Sequence, residues 1–271
     1  MALDSTALAQ ELFDARASGQ IVDVPPSARD AAFDLAAAYA VESELVRLRH
    51  ADGHSPIGRK VGYANKAVWR VLKLETLVWA HMYDDTVRHT AANDASLAVA
   101  NLRSPKIEPE IVFKIKAPLP TGMLESADVL DAVEWLALGF EIIDCPFPDW
   151  KFQPTDFVAN FGLHAALIVG EPMLIVPERL SALADALAGF TVSLSKNDQP
   201  VARGSGRNVL RSPVLCLGVL GANLSRSTDP LRAGELVSSG TLTESQPIAA
   251  GEKWTATLEG LPLAPLTLQT T

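Results

Sequence analysis

The sequence changes its pattern near residue 58, and this change limits the folds that the chain can adopt. Before it, apolar residues recur at helical spacing over residues 5–18 and 28–50, with Pro25 and Pro26 between the two stretches. After it, short apolar runs separated by glycine and proline predict many strands among a few helices. Because these strands do not alternate regularly with helices, a doubly wound parallel sheet is excluded. We expect an α+β protein, with a helical region over residues 1–55 packed on a strand-rich domain over residues 56–271.

Within the strand-rich part, most elements can be predicted from spacing. Residues 106–116 alternate apolar and polar side chains, which is typical of a strand. Further strands are expected over residues 140–145 and 164–170, and a hairpin over residues 190–204 that turns at residues 197–198. Helices are expected over residues 65–74, 126–139, 176–189 and 208–224.

Charge and cysteine content exclude several classes of protein. The chain has 23 Lys and Arg against 32 Asp and Glu, a formal net charge of −9, and no basic stripe, so we expect no nucleic-acid partner. Its two cysteines, Cys145 and Cys216, form no CxxC motif. The N-terminus does not resemble a signal peptide, and no apolar run approaches the ~20 residues of a membrane span. We therefore expect a soluble, reduced, cytoplasmic protein without membrane contact.

The segment Glu108-Pro109-Glu110 is the most informative motif. Side chains two residues apart in a strand point to the same face, so both carboxylates share one side. Two close carboxylates repel each other unless a cation or a proton lies between them. Pro109 removes one ladder hydrogen bond, which suits a strand edge or a bulge. The segment is either a solvated strand face or part of a cation site.

Glu141 makes the cation site more plausible, because it lies in the strongly apolar run LALGFEIIDC. A buried carboxylate requires a partner or stays protonated. Three carboxylates without thiolate or histidine ligands suit a hard divalent cation such as Mg²⁺ or Mn²⁺. Asp144 lies three residues further on, points to the opposite face, and is expected to pair with a cation or to cap a turn.

Other residues could contribute to such a site. Lys60 lies between Gly58 and Gly62, which permit close approach of a ligand, although an isolated lysine is most often on the surface. His164 begins an apolar strand and is either functional or a core histidine with one hydrogen bond. The loop Arg203–Arg207 could bind a carboxylate or be a solvated end of the hairpin.

Several segments, taken in chain order, resemble one known family. They are GRKVG, MYDD, KIEPEIVF, GFEIIDC followed by PDWKF, SKNDQPVARGSG and SSGTLTESQPIAAGE. Together they resemble the 2-keto-4-pentenoate hydratase / 4-oxalocrotonate decarboxylase branch of the fumarylacetoacetate hydrolase superfamily. The match covers roughly residues 55–260. A pair of glutamates followed about thirty residues later by a single glutamate is similar to the metal signature of that superfamily.

The resemblance implies a mixed β-roll core with peripheral helices, a divalent metal, Mg²⁺ or Mn²⁺, and a homo-oligomer. It also implies that residues 56–271 are the catalytic domain. Carried over residue by residue, it implies the following roles: Glu108, Glu110 and Glu141 as metal ligands, Lys60 and Asp84 as catalytic residues, and Ser239 or Thr241 beside the substrate.

The sequence departs from the family pattern where the substrate is expected. GYAN replaces GLTS over residues 62–65, NFGLHAAL keeps Asn160 but introduces His164, and arginines stand at 207 and 211. We expect Lys60 and His164 to transfer protons, with burial and a nearby cation lowering the pKa of Lys60. We expect Arg207 to pair with a distal carboxylate of the substrate.

The function implied is that of a metal-dependent hydratase acting on a 2-hydroxy-2,4-dienoate or 2-oxo acid in the catabolism of aromatic compounds. A decarboxylase and a C–C hydrolase of a related 2-oxo acid are alternatives, because all three reactions rely on a divalent cation that stabilises an enolate. A non-catalytic metal-binding paralogue is a further alternative.

Overall fold

Three helices form the N-terminal region of the chain: α1 Ser5–Ser18, α2 Pro26–Arg29 and α3 Leu35–Ala51. The computed structural model describes residues 3–120, 122 and 125–271. The prediction of one helix over residues 28–50 is wrong, because the chain turns between α2 and α3. The carboxylate of Asp34 accepts a hydrogen bond from the backbone N–H of Ala37 at 2.9 Å, so α3 has its own N-cap.

The rest of the described chain is rich in strands, as the sequence predicts. The helices are α4 Trp69–Leu72, α5 Ser126–Asp131, α6 Pro154–Ala159, α7 Leu180–Gly189 and α8 Pro213–Leu224. The strands are β1 Pro56–Gly62, β2 Val78–Tyr83, β3 Val87–His89, β4 Asp94–Leu97, β5 Pro105–Ile115, β6 Val133–Asp144, β7 His164–Val169, β8 Met173–Leu174, β9 Thr191–Lys196, β10 Gln199–Ser205, β11 Leu236–Ser238, β12 Gln246–Pro247, β13 Lys253–Glu259 and β14 Leu266–Thr270.

These strands form two mixed sheets. The larger sheet has the order β2-β1-β11-β5-β6-β7-β3, with β12 also paired to β5 and β8 to β6. The smaller has the order β10-β9-β13-β14-β4. β1 runs parallel to β11 and β3 parallel to β7, while β5 and β6 are antiparallel, so the sheet is mixed, as expected for an α+β fold.

The long hairpin of β5 and β6 lies at the centre of the larger sheet. The predicted helix over residues 126–139 is wrong beyond Asp131, because the chain enters β6 at Val133 and pairs with β5 along its length. The run from Val133 to Phe140 is buried with the single exception of Glu134. A strand that is buried on both faces has a continuous apolar sequence, and periodicity alone cannot distinguish such a sequence from a buried helix.

Apolar packing joins the N-terminal helices to the larger sheet. Leu12 of α1 and Leu45 of α3 belong to the same buried cluster as Tyr83 of β2 and Phe157 of α6. A second cluster lies between the two sheets and α5, α7 and α8. In the described part of the chain, the helices are all too short or too polar to cross a membrane.

Candidate active site

The hairpin of β5 and β6 brings three glutamates together. Glu108 and Glu110 lie on the same face of β5, and Glu141 of β6 stands directly opposite Glu108 in the antiparallel register. One carboxylate oxygen of each lies within 4.8 Å of those of the other two. The spacing argument is therefore correct, since strand period and cross-strand pairing place all three on one face.

Pro109 lies on an interior strand and not on the expected edge strand. β5 is an interior strand, but its neighbour is interrupted: β11 ends opposite Val112, and β12 begins only opposite Ile107. The chain between β11 and β12 loops across this gap, and Leu242 N–H donates to Pro109 O at 2.9 Å. The missing N–H of Pro109 thus coincides with the break in the neighbouring strand.

The residues at the start of this loop also hold one oxygen of Glu110 in place. The hydroxyl of Ser238 and the backbone N–H of Gly240 both donate to Glu110 Oε2, at 2.5 and 2.8 Å. Gly240 has a φ of +95°, a conformation that glycine adopts without strain. The other oxygen, Glu110 Oε1, is buried and has no hydrogen-bond partner in the described part of the chain. A bound cation would satisfy this oxygen.

Lys60 reaches the carboxylates from β1. Its Nζ lies 3.1 Å from Glu141 Oε2 and donates to Gly162 O at 2.9 Å. Gly162 has a φ of +59°, and a Cβ at this position would lie 2.8 Å from Lys60 Cδ, so glycine is required. We expected a lowered pKa at Lys60. Burial does lower it, but the nearby carboxylates, Glu141 first, outweigh burial and raise the pKa of Lys60.

His164 lies behind Glu141 and does not face the cavity. It is 1% exposed, its Nδ1 lies 2.8 Å from Glu141 Oε1, and its Nε2 lies 3.0 Å from Thr86 Oγ1. Burial, followed by nearby cations of which Arg16 is the first, holds the pKa of His164 well below its ordinary value. The imidazole is therefore neutral. With Glu141 ionised, Nδ1–H donates to the carboxylate, and Nε2 lies against the hydroxyl of Thr86, which itself donates to Tyr83 O at 3.0 Å.

The charges of this cluster fit a divalent cation. Burial is the main cause that raises the pKa of Glu108 and of Glu110, and the neighbouring carboxylates raise both further. When all groups are ionised, the three carboxylates and the Lys60 ammonium carry a net charge of about −2 in a desolvated site. A dication neutralises this charge, and carboxylate oxygens are the ligands that Mg²⁺ and Mn²⁺ prefer.

A cavity of about 500 Å³ opens above the cluster. Lys60 and Glu108 lie among its lining residues, and so does Thr241. Ser239 is fully buried and does not line the cavity, so of the two substrate-binding candidates only Thr241 borders it. The polar residues around the opening include Asn65, Arg203, Asn208, Thr243 and Glu244.

Two predicted site residues lie elsewhere. Asp84 is exposed in the turn after β2, where its Oδ1 lies 3.2 Å from His54 Nδ1, and it does not line the cavity. The turn directs this side chain outward, so the family motif alone misplaces it. Arg207 is exposed and lines a neighbouring cavity with Lys66 and Arg211. The arginine that reaches the active-site cavity is Arg203, at the other end of the same loop.

Sequence reasoning missed four contacts around the cluster. Ser238 and Gly240 bind Glu110, Gly162 binds Lys60, and Thr86 contacts His164, and all four come from distant segments. Ser238 could have been found from the sequence Ser-Ser-Gly, because adjacent strand residues face opposite sides and one of the two serines must face the carboxylates. No local signal marks Thr86 or the carbonyl of Gly162.

The chain was compared with known proteins. No family model matches it. It is 31% identical to a 2-hydroxyhexa-2,4-dienoate hydratase from Comamonas testosteroni over 224 residues, 83% of this chain and 82% of the relative. It is 28% identical to a 2-keto-4-pentenoate hydratase from Paraburkholderia xenovorans over 255 residues, 93% of this chain and 90% of the relative.

The fold matches a solved structure over nearly its whole length. That structure is a 4-oxalocrotonate decarboxylase from Pseudomonas putida G7, complexed with magnesium and adipate. It is 25% identical, has a TM-score of 0.88, and the match covers 98% of this chain and 97% of the other. These similarities agree with the segments found in the sequence and with the cluster on β5 and β6. The chain belongs to the 2-keto-4-pentenoate hydratase / 4-oxalocrotonate decarboxylase branch of the fumarylacetoacetate hydrolase superfamily.

Proposed function

We propose that this protein is a divalent-metal-dependent hydratase that adds water to a 2-hydroxy-2,4-dienoate, in the catabolism of aromatic compounds. One observation carries the proposal: Glu108, Glu110 and Glu141 converge beneath a cavity, with the Glu110 Oε1 atom unpartnered and Lys60 beside them. The hydratase relatives support the choice of reaction.

In this proposal the three glutamates hold Mg²⁺ or Mn²⁺. When bound, such an ion supplies positive charge for the carboxylate and the C2 oxygen of a 2-oxo acid or its enol, which favours the enolate. Glu110 is fixed by Ser238 and Gly240, which leaves its second oxygen for the ion. The two donors thus set the direction of the ligand atom.

Lys60 is the proposed proton donor and acceptor, because its side chain lies at the floor of the cavity. The neighbouring carboxylates outweigh burial and raise the pKa of Lys60, which favours its ammonium form in the metal-free site. Ketonisation of the dienol requires a proton at C5 and the loss of the enol O–H proton, and Lys60 can give the first and recover the second. Water then adds across the alkene, which is conjugated with the 2-oxo group, and the product is a 4-hydroxy-2-oxo acid.

His164 is proposed as a positioning residue instead of a proton-transfer residue. Both of its ring nitrogens are occupied, and the ring is sealed from the cavity. Its Nδ1–H fixes one oxygen of Glu141, while Lys60 contacts the other. Buried donors of this kind orient a metal ligand and maintain its charge.

Arg203 gives a reason to keep the decarboxylase as a second candidate. It lines the cavity and has no ion-pair partner among the described residues, so it can pair with a second carboxylate of a substrate. A dicarboxylate, as in an oxalocrotonate, would use this arginine, whereas 2-hydroxypenta-2,4-dienoate has no second carboxylate. Removal of Arg203 therefore distinguishes the two substrate classes.

The test is a panel of turnover assays. The substrates are 2-hydroxypenta-2,4-dienoate, an oxalocrotonate and an acylpyruvate, each with Mg²⁺, with Mn²⁺ and with chelator. The proposal expects hydration of the dienoate that chelator abolishes. Turnover of the oxalocrotonate alone assigns the decarboxylase, and turnover of the acylpyruvate alone assigns the C–C hydrolase. Absence of turnover with metal bound would assign the non-catalytic paralogue.

Two variants test proton transfer by Lys60 and carboxylate binding by Arg203. Lys60→Met is expected to lower kcat about 10²–10⁴-fold while Mg²⁺ affinity persists. Lys66→Met serves as the matched control, since Lys66 is exposed and does not line the cavity. Arg203→Gln should raise KM for the oxalocrotonate and leave KM for the monocarboxylate within about twofold.

We also propose a homo-oligomer in the cytoplasm. The apolar helix α8 is no argument for association, because most of it is buried within the chain. The proposal of an oligomer rests on the family resemblance, and the exposed apolar side chains of Val71 and Leu215, at 81% and 40% exposure, are available to an interface. Sedimentation that gives only a 28.9 kDa species would contradict the oligomer.

The state of the cysteines supports the proposed cytoplasmic location. Both cysteines are free and buried, as in proteins of reducing compartments.

A further inference from the structure

A second polar cavity, of about 590 Å³, lies beside the C-terminal end of α1. Its polar lining residues include Arg16, Asn101, Arg103, Asn160 and the acidic Asp144, and it shares none with the active-site cavity. The turn formed by residues 160–164 separates the two cavities. Gly162 O on this turn accepts from Lys60, and His164 O accepts from Arg16.

Arg16 is a cation that lines this second cavity, and the charge of Asp85 offsets it only in part. Its Nη1 donates to the carbonyl of His164 at 2.6 Å, and its guanidinium lies 4.7 Å from the ring centroid of Phe161. Among the described residues, it has no acidic ion-pair partner. Burial, followed by the charge of Arg49, lowers its pKa to about 10, so it stays protonated at neutral pH. Its remaining N–H groups are not sealed in the core.

Asp144, the acid that lines this cavity, does not compensate the charge of Arg16. Arg103 Nε lies 3.0 Å from Asp144 Oδ2, and Asp144 Oδ1 also accepts from the backbone N–H groups of Arg103 and Ser104. The carboxylate of Asp144 is therefore fully engaged by its own partners. The cavity keeps the positive charge of Arg16, which favours an anion inside it.

Asn160 supplies a second, independent observation that points to a ligand in this cavity. This residue is 7% exposed, and its side-chain amide has no hydrogen-bond partner within the described ranges. Neither amide atom is among the fully sealed unpartnered atoms, so the group retains access to the cavity. Buried amides nearly always have a partner, and a donor without one in the same cavity as a guanidinium that lacks an ion-pair partner fits an oxyanion.

We propose that this cavity binds a small oxyanion, a carboxylate or a phosphate, which accepts hydrogen bonds from Arg16 and Asn160. The planar guanidinium presents two parallel N–H groups to such an anion, and the amide provides a third donor. The site is distinct from the carboxylate cluster, and the turn of residues 160–164 contacts both Arg16 and Lys60.

The experiment is calorimetric titration of the metal-loaded protein with inorganic phosphate and, separately, with acetate. Arg16→Gln is expected to weaken binding about tenfold or more, because it removes the charge and the paired donors. Arg88→Gln, which removes an exposed arginine of β3, should leave the affinity within about twofold and controls for net charge. Binding of acetate alone would identify carboxylates as the ligands, and binding of phosphate alone would identify phosphates.

Further variants keep the test decisive. Asn160→Leu retains Arg16 and should weaken binding about threefold to tenfold, so it decides the outcome if Arg16→Gln does not fold. Arg203→Gln reports on anions that enter the active-site cavity instead. The proposal is overturned if neither anion binds, if Arg16→Gln and Asn160→Leu bind like the wild type, or if only Arg203→Gln loses binding.

Discussion

His164 Nδ1 lies 2.8 Å from Glu141 Oε1, and the ring that makes this contact is buried and does not line the cavity. Lys60 Nζ contacts the other oxygen of the same carboxylate at 3.1 Å. Glu141 is thus held by a neutral donor on one oxygen and by a cation on the other. In the proposed function this arrangement separates two roles: Lys60 lines the cavity for proton transfer, and His164 orients the carboxylate of Glu141.

The role of His164 can be tested with a matched pair of variants. Asn can place its Nδ2–H group where His has Nδ1–H, so His164→Asn should keep Mg²⁺ affinity within about threefold. His164→Leu removes the donor and should weaken Mg²⁺ binding about 10–100-fold. Calorimetry measures both affinities. A pH–rate profile whose limbs move in His164→Asn would instead indicate proton transfer by the imidazole.

Glu110→Gln should abolish the metal site and yet stabilise the protein in chelator. In the metal-free state, burial disfavours the ionised carboxylate, and an amide of the same shape removes this cost while still accepting from Ser238 and Gly240. We expect a rise in Tm of about 2–4 °C in chelator, roughly 1 kcal/mol for a chain of this size.

With Mg²⁺ the order should reverse, because only the wild type gains stability from binding. Thermal denaturation with and without Mg²⁺ measures both effects. Glu134→Gln is the control, since it removes an exposed carboxylate from the same strand β6. Equal stabilisation of Glu110→Gln and wild type by Mg²⁺ would exclude Glu110 as a ligand.

Gly162→Ala should impair Lys60 without removing it. The added Cβ would lie 2.8 Å from Lys60 Cδ and 2.9 Å from Ala80 Cβ, at a φ of +59°. We expect a loss of about 1–3 kcal/mol in the free energy of unfolding, together with a lower kcat. Gly189→Ala is the control, since nothing lies within 4 Å of its added Cβ. Wild-type kcat in Gly162→Ala would show that the position of Lys60 is not critical.

The carboxylate cluster could be predicted from the sequence because it depends on local rules. Strand period places Glu108 and Glu110 on one face, and an acid within an apolar run marks Glu141 as buried. The roles of His164 and Asp84 could not be predicted in this way. They depend on how β7 pairs with β6 and on which way the turn after β2 projects, and neither is encoded locally.

The boundary between α5 and β6 shows a second limit of local reasoning. Residues 126–139 have a spacing that both a helix and a doubly buried strand satisfy. From Val133 the chain is a strand, because pairing with β5 satisfies the backbone N–H and C=O groups of a central strand. The mixed-sheet fold was therefore predictable, whereas the end of this helix was not.

A last prediction concerns His81, which lies on β2 and is not a member of the carboxylate cluster. Its Nδ1 lies 2.5 Å from Glu42 Oε1, and its Nε2 lies 3.0 Å from Asp229 Oδ2. Burial lowers the pKa of His81, but the two carboxylates outweigh burial, so the pKa is raised above 6.5. A raised pKa means that the folded state binds the proton more tightly than the unfolded state.

The stability that His81 contributes is therefore fully present below pH 6.5 and is lost as the pH rises through the folded-state pKa. His81→Gln should cost about 1–3 kcal/mol near pH 6, and this cost should shrink toward pH 9. Urea denaturation across this range measures it. His89→Gln is the control of opposite sign: burial, and then Lys114, lower the pKa of His89, so its effect should change only below pH 6.5. A cost of His81→Gln that stays constant from about pH 6 to pH 9 would mean that His81 is neutral in the folded protein.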